Sequence, residues 1–157
     1  MAQRKQAFYA GANPMQLFDV ASGDGELLSG FHADASVTAS EADSVQTVAT
    51  DDQGDGVAHD PILFPFVGAT LVASADFSDA TVRFNIGVRF LDANKDTISE
   101  SVDDFIASGR RSHQVTVPQG TFYVQWITTR NEASAADNGE WSFTRPALRT
   151  NSSEFSH

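Results

Sequence analysis

Hydrophobic and polar positions alternate most clearly over Thr81–Phe90, where Val82, Phe84, Ile86, Val88 and Phe90 interleave with Thr81, Arg83, Asn85, Gly87 and Arg89. A period of two over ten residues predicts an extended strand with one apolar and one polar face. Ala69–Phe77 repeats the pattern, with Leu71, Ala73, Ala75 and Phe77 opposed to Val72, Ser74 and Asp76. Phe122–Thr128 does so again, with Phe122, Val124 and Trp126 on the apolar side, and Trp141–Arg145 forms a last strand stopped by Pro146. Gln114–Val117 reads as a strand closed by the turn Pro118–Gly120, and Asp92–Asp96 as a turn leading to a return strand from Thr97 to Ser99. Weaker strands are expected at Ala35–Thr38 and Ser44–Ala49, with Thr50–Asp60 as a polar loop. Ile62–Phe66, interrupted by prolines, suits a sheet edge. Two helical stretches are expected. Asn13-Pro14 would start one over Met15–Ala21. Ser101–Ser108 would form the other, with Ser101 as cap, Asp103 and Asp104 in the first turn and Gly109 closing it. Roughly eight short strands with little helix predict an all-β, two-sheet antiparallel sandwich, a jelly roll.

Around that sandwich (residues 26–150) the pattern sets off a lead segment of residues 1–25 and a tail of residues 151–157. The lead segment carries Phe8, Tyr9, Leu17 and Phe18 but cannot build a core alone, so it is read as an attachment arm for the domain itself, a symmetry mate or another protein.

Composition narrows the function classes. The 157 residues are 41% apolar and 20% charged, the proportions of a globular domain. No apolar run is long enough to cross a membrane as a helix, and the first residues lack the apolar stretch of a secretory signal. Without cysteine there is neither a disulfide framework nor a thiolate metal site. The net charge is −11, and no lysine or arginine lies between Gln6 and Val82. Such acidity argues against nucleic acid and against anionic lipid as partners. It reads as a solubility device or as an acidic face for a basic partner.

From Gly68 onward the order of features resembles the jelly-roll carbohydrate-binding modules with a galactose-binding-like fold. A strand follows a Gly-containing turn (VGATLVASADF), then a long alternating strand, a small turn and a return strand (VRFNIGVRFLDANKDTIS). A polar strand, a Pro-x-Gly turn and an aromatic strand (HQVTVPQGTFYVQWI) precede a Trp-bearing final strand (GEWSFTRPAL). The likeness covers residues 68–148. The first half departs from the family in lacking an Asn-rich opening with a Trp in the first strand pair. Modules of this kind occur attached to glycosidases and in phage tail fibres, spikes and head decorations. The resemblance therefore implies a bacteriophage virion structural protein, located in the virion. Its partners would be other virion proteins, reached through the arm, with self-association into a homo-oligomer and contact with host surface glycan. The alternative it implies is a free-standing carbohydrate-binding module working beside a polysaccharide-degrading enzyme.

Candidate chemistry follows the strand faces. The four histidines, His32, His59, His113 and His157, sit in no catalytic motif, and a non-enzyme is expected. Asp92-x-Asn94-x-Asp96 and Asp51-x-Gln53-x-Asp55-Gly56 have oxygen-ligand spacing. The first lacks the loop glycine, where Thr97 stands, and neither ends in the bidentate Glu of a calcium loop; both read more simply as solvated turns. No metal ligand is assigned, although the resemblance leaves room for a structural calcium. If Phe122, Val124 and Trp126 face the core, Tyr123, Gln125 and Ile127 face outward beside Arg83, Asn85 and Arg89, and Asp76 is expected on the adjoining strand. Such a face either stays solvated, is covered by the lead segment or a partner, or holds a polysaccharide through ring stacking and hydroxyl hydrogen bonds.

Overall fold

The computed structural model describes residues 15–20, 23–105 and 107–150. Among them the chain forms, in order, β1 (Phe31–Ala33), β2 (Thr38–Ala42), β3 (Val45–Thr50), β4 (Gly56–His59), β5 (Ile62–Leu63), β6 (Thr70–Ser78), β7 (Phe84–Leu91), β8 (Thr97–Phe105), β9 (Gly109–Thr116), β10 (Tyr123–Arg130) and β11 (Gly139–Thr150). They pair into a front sheet, β1-β4-β10-β7-β8 with β5 beside β10, and a back sheet, β2-β3-β11-β6-β9. The ladders are antiparallel, and the long strands from β6 to β11 shuttle between the sheets. This is the expected jelly-roll sandwich.

The alternation in the sequence packs the core. Phe84, Ile86, Val88 and Phe90 of β7 and Val124 and Trp126 of β10 meet Leu71, Ala73, Ala75 and Phe77 of β6 and Trp141, Phe143 and Leu148 of β11. Phe84 stacks on Trp141 at 5.9 Å between centroids, and Trp126 lies 5.0 Å from Phe143. Each sealed indole takes about 200 Å² out of water, on the order of 5 kcal/mol of burial. That gain survives only if the N–H is satisfied. Trp126 Nε1 donates to the carbonyl of Ser74 in the opposite sheet (3.2 Å), and Trp141 Nε1 donates to Thr128 Oγ1 (3.1 Å).

Several local expectations give way to pairing. Ser101–Ser108 is not a helix: residues 101–105 lie in β8, which is in register with β7 from Phe84↔Phe105 to Phe90↔Ser99. A helix there would strip β7 of one ladder, and a row of backbone hydrogen bonds outweighs capping signals. Met15–Val20 is extended, with Gln16 bridging Arg149 and Leu17 N donating to Leu148 O; Ala21 lies outside the described residues. Ala35–Val37 is a turn closed by Val37 N to Asp34 O, and β2 begins only at Thr38. The supposed loop Thr50–Asp60 contains β4, too short for its period to show, held between β1 and β10. Pro146 does not stop the last strand. The β11–β6 register shifts between Thr144 and Ala147, so the proline sits in a bulge that needs no ladder N–H, and Arg145 takes φ +53°. Phe122 precedes β10. Its backbone bonds Leu91 and Phe64, and its ring is 45% exposed and not on the core face.

Two contacts fasten the periphery. Arg130 is wholly buried, donating to the carbonyls of Thr50 (2.9 Å), Ala133 (2.9 Å) and Glu132 (3.1 Å) and to Asp137. Gly139 is required beside it, because a Cβ there would lie 2.6 Å from Arg130 Nη1 and 2.2 Å from Val82. Phe18 stacks on the His59 ring at 4.1 Å, and both rings meet Phe31 edge-on. Burial disfavours the charged imidazole, so His59 titrates below its ordinary 6.5 although the neighbouring Asp60 pulls upward. The unfolded chain then takes up a proton near its ordinary pKa while the folded one does not. Stability from this site is complete above pH 6.5 and is lost as pH falls through the depressed value. Phe18→Ala should lower the unfolding free energy by about 3 kcal/mol, read from the urea midpoint. His59→Phe should flatten the loss of stability between about pH 7 and 5. An unchanged midpoint in the first variant, or an unchanged pH slope in the second, would remove this packing from the account.

Candidate functional site

With the core side settled, the outer face of the front sheet follows from the registers as three cross-strand rows. One row is Gln125–Arg89–Glu100, the middle row is Ala58–Ile127–Gly87–Val102, and the third is Thr129–Asn85–Asp104. The outer rows are polar and the middle row apolar.

The polar rows are internally bonded. Arg89 Nε donates to Glu100 Oε2 at 2.7 Å and its Nη1 to Gln125 Oε1 at 3.4 Å, while Gln125 Nε2 donates to His59 O at 3.0 Å. Asn85 Oδ1 accepts from both Thr129 N (3.0 Å) and Thr129 Oγ1 (2.8 Å). Arg83, just before β7, grips Asp104 Oδ2 through Nη2 at 2.6 Å and Nε at 3.2 Å. Those bonds hold the Asp104 carboxyl below its ordinary 3.8. The Tyr123 ring lies under Lys95 Nζ, 5.1 Å from its centroid. Asn85 and Gln125 are only 5% and 4% exposed. They therefore position their neighbours, and the part of the face open to a ligand is its β7–β8 half, with Arg83, Arg89, Glu100, Val102 and Asp104 and with Tyr123 at its end. Guanidiniums fixed by carboxylates, beside an apolar stripe, can offer hydrogen bonds to hydroxyls and a surface for sugar C–H groups.

Five of the six residues expected at a glycan face thus share one sheet face. Asp76 does not. It belongs to β6, which pairs with β11 and β9 in the back sheet, so it lies on the far side of the sandwich. β6 and β7 follow one another in the sequence but lie in different sheets, and adjacency along the chain misplaces it. There Asp76 is clasped by Arg145 Nε (2.7 Å) and Nη2 and by Arg110 Nη1 (3.2 Å). Partial burial would raise its pKa, but the two arginines outweigh this and hold it below 3.8.

Of the arm residues, Phe18 lies in this domain's own core and Leu17 packs against it, while Phe8 and Tyr9 lie outside the described residues. Asp92 Oδ1 accepts from the backbone N–H groups of Asn94 (2.8 Å) and Asp96 (3.0 Å), the bonding of a turn. Asp55 accepts from Ser36 Oγ at 2.7 Å. Among the described residues no group of three His, Asp or Glu converges as a metal site. Sequence reasoning missed Val102 and Asp104 as members of the face, because they were assigned to the helix, and Glu100, because the return strand was ended at Ser99. It also missed the exposed Phe66 and Phe122 at the end of the sandwich; the flanking Pro65 and the Pro118–Gly120 turn were their available signal.

No family model matches the sequence, and no curated protein does. Solved structures do match its fold. The enzymatically active domain of tailspike protein 4 of bacteriophage CBA120 aligns with TM-score 0.62 at 12% identity over 86% of this chain. The CBM22-1 xylan-binding domain of Paenibacillus barcinonensis Xyn10C aligns with TM-score 0.60 at 12% identity over 87%. This chain has the fold of the jelly-roll carbohydrate-binding modules. A family 29 carbohydrate-binding module from Piromyces equi also aligns, with TM-score 0.53, 12% identity and 88% of this chain covered. The two modules are matched over 95% and 90% of their own lengths, whereas this chain spans about a fifth of the tailspike domain, 21%.

In this module-type sandwich Gly87 sets how closely β8 approaches the face. A Cβ there would lie 2.1 Å from Ser101 O and 2.7 Å from Val102. Gly87→Ala should therefore displace β8 and cost about 1–3 kcal/mol. Urea unfolding checks this, and full retention of stability would show that β8 can shift freely.

Proposed function

We propose that the domain is a glycan-contacting module of a bacteriophage virion component, a decoration, spike or fibre subunit, and that it acts by binding and not by catalysis. The β7–β8 half of the front face makes the contact. The observation that carries this reading is the row Gln125–Arg89–Glu100, bonded end to end beside the Arg83–Asp104 pair on a carbohydrate-binding-module fold. Donors locked by neighbours lose little freedom when a ligand arrives, which favours sugar hydroxyls that offer only modest energy each. The tailspike likeness supports the virion setting. Residues before Met15, with Phe8 and Tyr9, would then supply attachment to other virion proteins or to further copies of this chain. A second reading, a free-standing module beside a polysaccharide-degrading enzyme, draws on the near-complete overlap with the xylan-binding domain.

Affinity electrophoresis through gels containing xylan, glucomannan or host-cell lipopolysaccharide tests the binding reading. At least one should retard the protein, and Arg89→Ala should weaken retardation about tenfold, the loss expected for a charged hydrogen-bond donor. Unretarded migration in every gel would reject glycan contact. Peptide mass spectrometry of purified phage particles separates the two settings: the chain should be found in the particle, and its absence would leave only the free-standing module.

A further inference from the structure

The outer face of the back sheet concentrates a charge that this chain uses sparingly. The sequence holds 10 Lys and Arg against 21 Asp and Glu, yet Arg110, Arg145 and Arg149 line one cleft of about 420 Å³. The topology places them there. β9 and β11 flank β6, so Arg110 pairs opposite Asp76, and the bulge at residues 145–146 turns Arg145 toward the same carboxylate. Arg145 holds a left-handed backbone, φ +53°, that favours glycine, with its side chain 77% exposed. The bulge that gives Arg145 this backbone also carries its side chain out into the cleft.

The cleft has more positive than negative charge. Asp76 neutralises one of the three guanidiniums, and the Arg149 side chain has no ion-pair partner among the described residues. Gln16, which bridges Arg149, also lines the cleft, and its Oε1 is a buried acceptor without a hydrogen-bond donor. Val20, Pro146 and Ala147 add an apolar lining. The cleft therefore keeps two guanidinium charges that no carboxylate balances among the described residues, next to an apolar surface.

We propose that this cleft binds a carboxylate-bearing sugar, a uronic acid residue of an acidic polysaccharide. Its carboxylate sits on Arg149 and the outer edge of Arg145, and the sugar ring lies along the partly exposed Val20 side of the cleft. The planar guanidinium fork matches a carboxylate, and Asp76 already occupies that geometry between Arg110 and Arg145. The apolar lining beside the guanidiniums suits a ring that carries its own charge, where free phosphate would leave that surface uncovered. The chain's overall acidity opposes a polyanion only at long range, since charges are screened beyond about 8 Å at physiological salt. This site rests on the carbohydrate-binding reading but lies on the opposite sheet from the front face.

Calorimetric titration of the full chain with trigalacturonic acid, xylohexaose and inorganic phosphate tests it. Trigalacturonic acid should bind, with affinity falling as salt rises, and Arg149→Gln and Arg145→Gly should each weaken it about tenfold or more. Glycine suits the backbone at 145, so that variant keeps the fold while removing the guanidinium. No binding, unchanged affinity in both variants, or phosphate competing equally well would overturn the proposal. A neutral glycan bound through Arg89 with no uronate binding would sink this site and leave the front face standing. Uronate binding lost in Arg149→Gln, with no neutral glycan bound, would do the reverse.

Discussion

The structure depends on sealing aromatic rings between two sheets. Trp126 and Trp141 are wholly buried, and each gives its indole N–H to a fixed acceptor, one of them a carbonyl of the opposite sheet. Because side chains alternate strictly along a strand, these anchors decide the parity of β6, β7, β10 and β11 together. A slip of one residue would bury Arg89 and expose Trp126. The outward residues are thus a consequence of the core.

The two outer faces that result have different electrostatic character. On the front, Arg83 and Arg89 are matched one to one with Asp104 and Glu100 from β8. The arginines are held in place and the face is close to neutral. On the back, one carboxylate, Asp76, is shared by Arg110 and Arg145, and Arg149 stands beside them. Exposed pairs of this kind add little to stability. Their effect is to fix donors in space, which matters for recognition more than for folding. The wholly buried Arg130 serves the interior instead, tying loop carbonyls around β11.

The fold was largely legible in the sequence wherever one face of a strand is buried. Leu71–Phe77, Val82–Phe90 and Val124–Trp126 alternate because half of each strand faces the core, and the structure pairs them as the alternation requires. What escaped were segments whose conformation is set by a neighbour. β8 has an exposed edge and weak alternation, so its local sequence carries helix-capping signals that the open edge of β7 overrides. β4 is four residues long and is extended because β1 and β10 flank it. Pro146 terminates a regular strand, but a bulge removes the hydrogen bond it would break.

By itself, then, the sequence determined the core side of the long strands, the two-layer architecture and the outward set Arg83, Asn85, Arg89, Tyr123 and Gln125, since a period of two is a local property. Only the tertiary structure decided which strands are neighbours. It sent Asp76 to the opposite sheet, brought Glu100 and Asp104 to the arginines, and gathered Arg110, Arg145 and Arg149 from two strands into one cleft. The physical reason is that strand pairing joins residues far apart in the chain through backbone hydrogen bonds, which every residue but proline can make and no short stretch of sequence specifies.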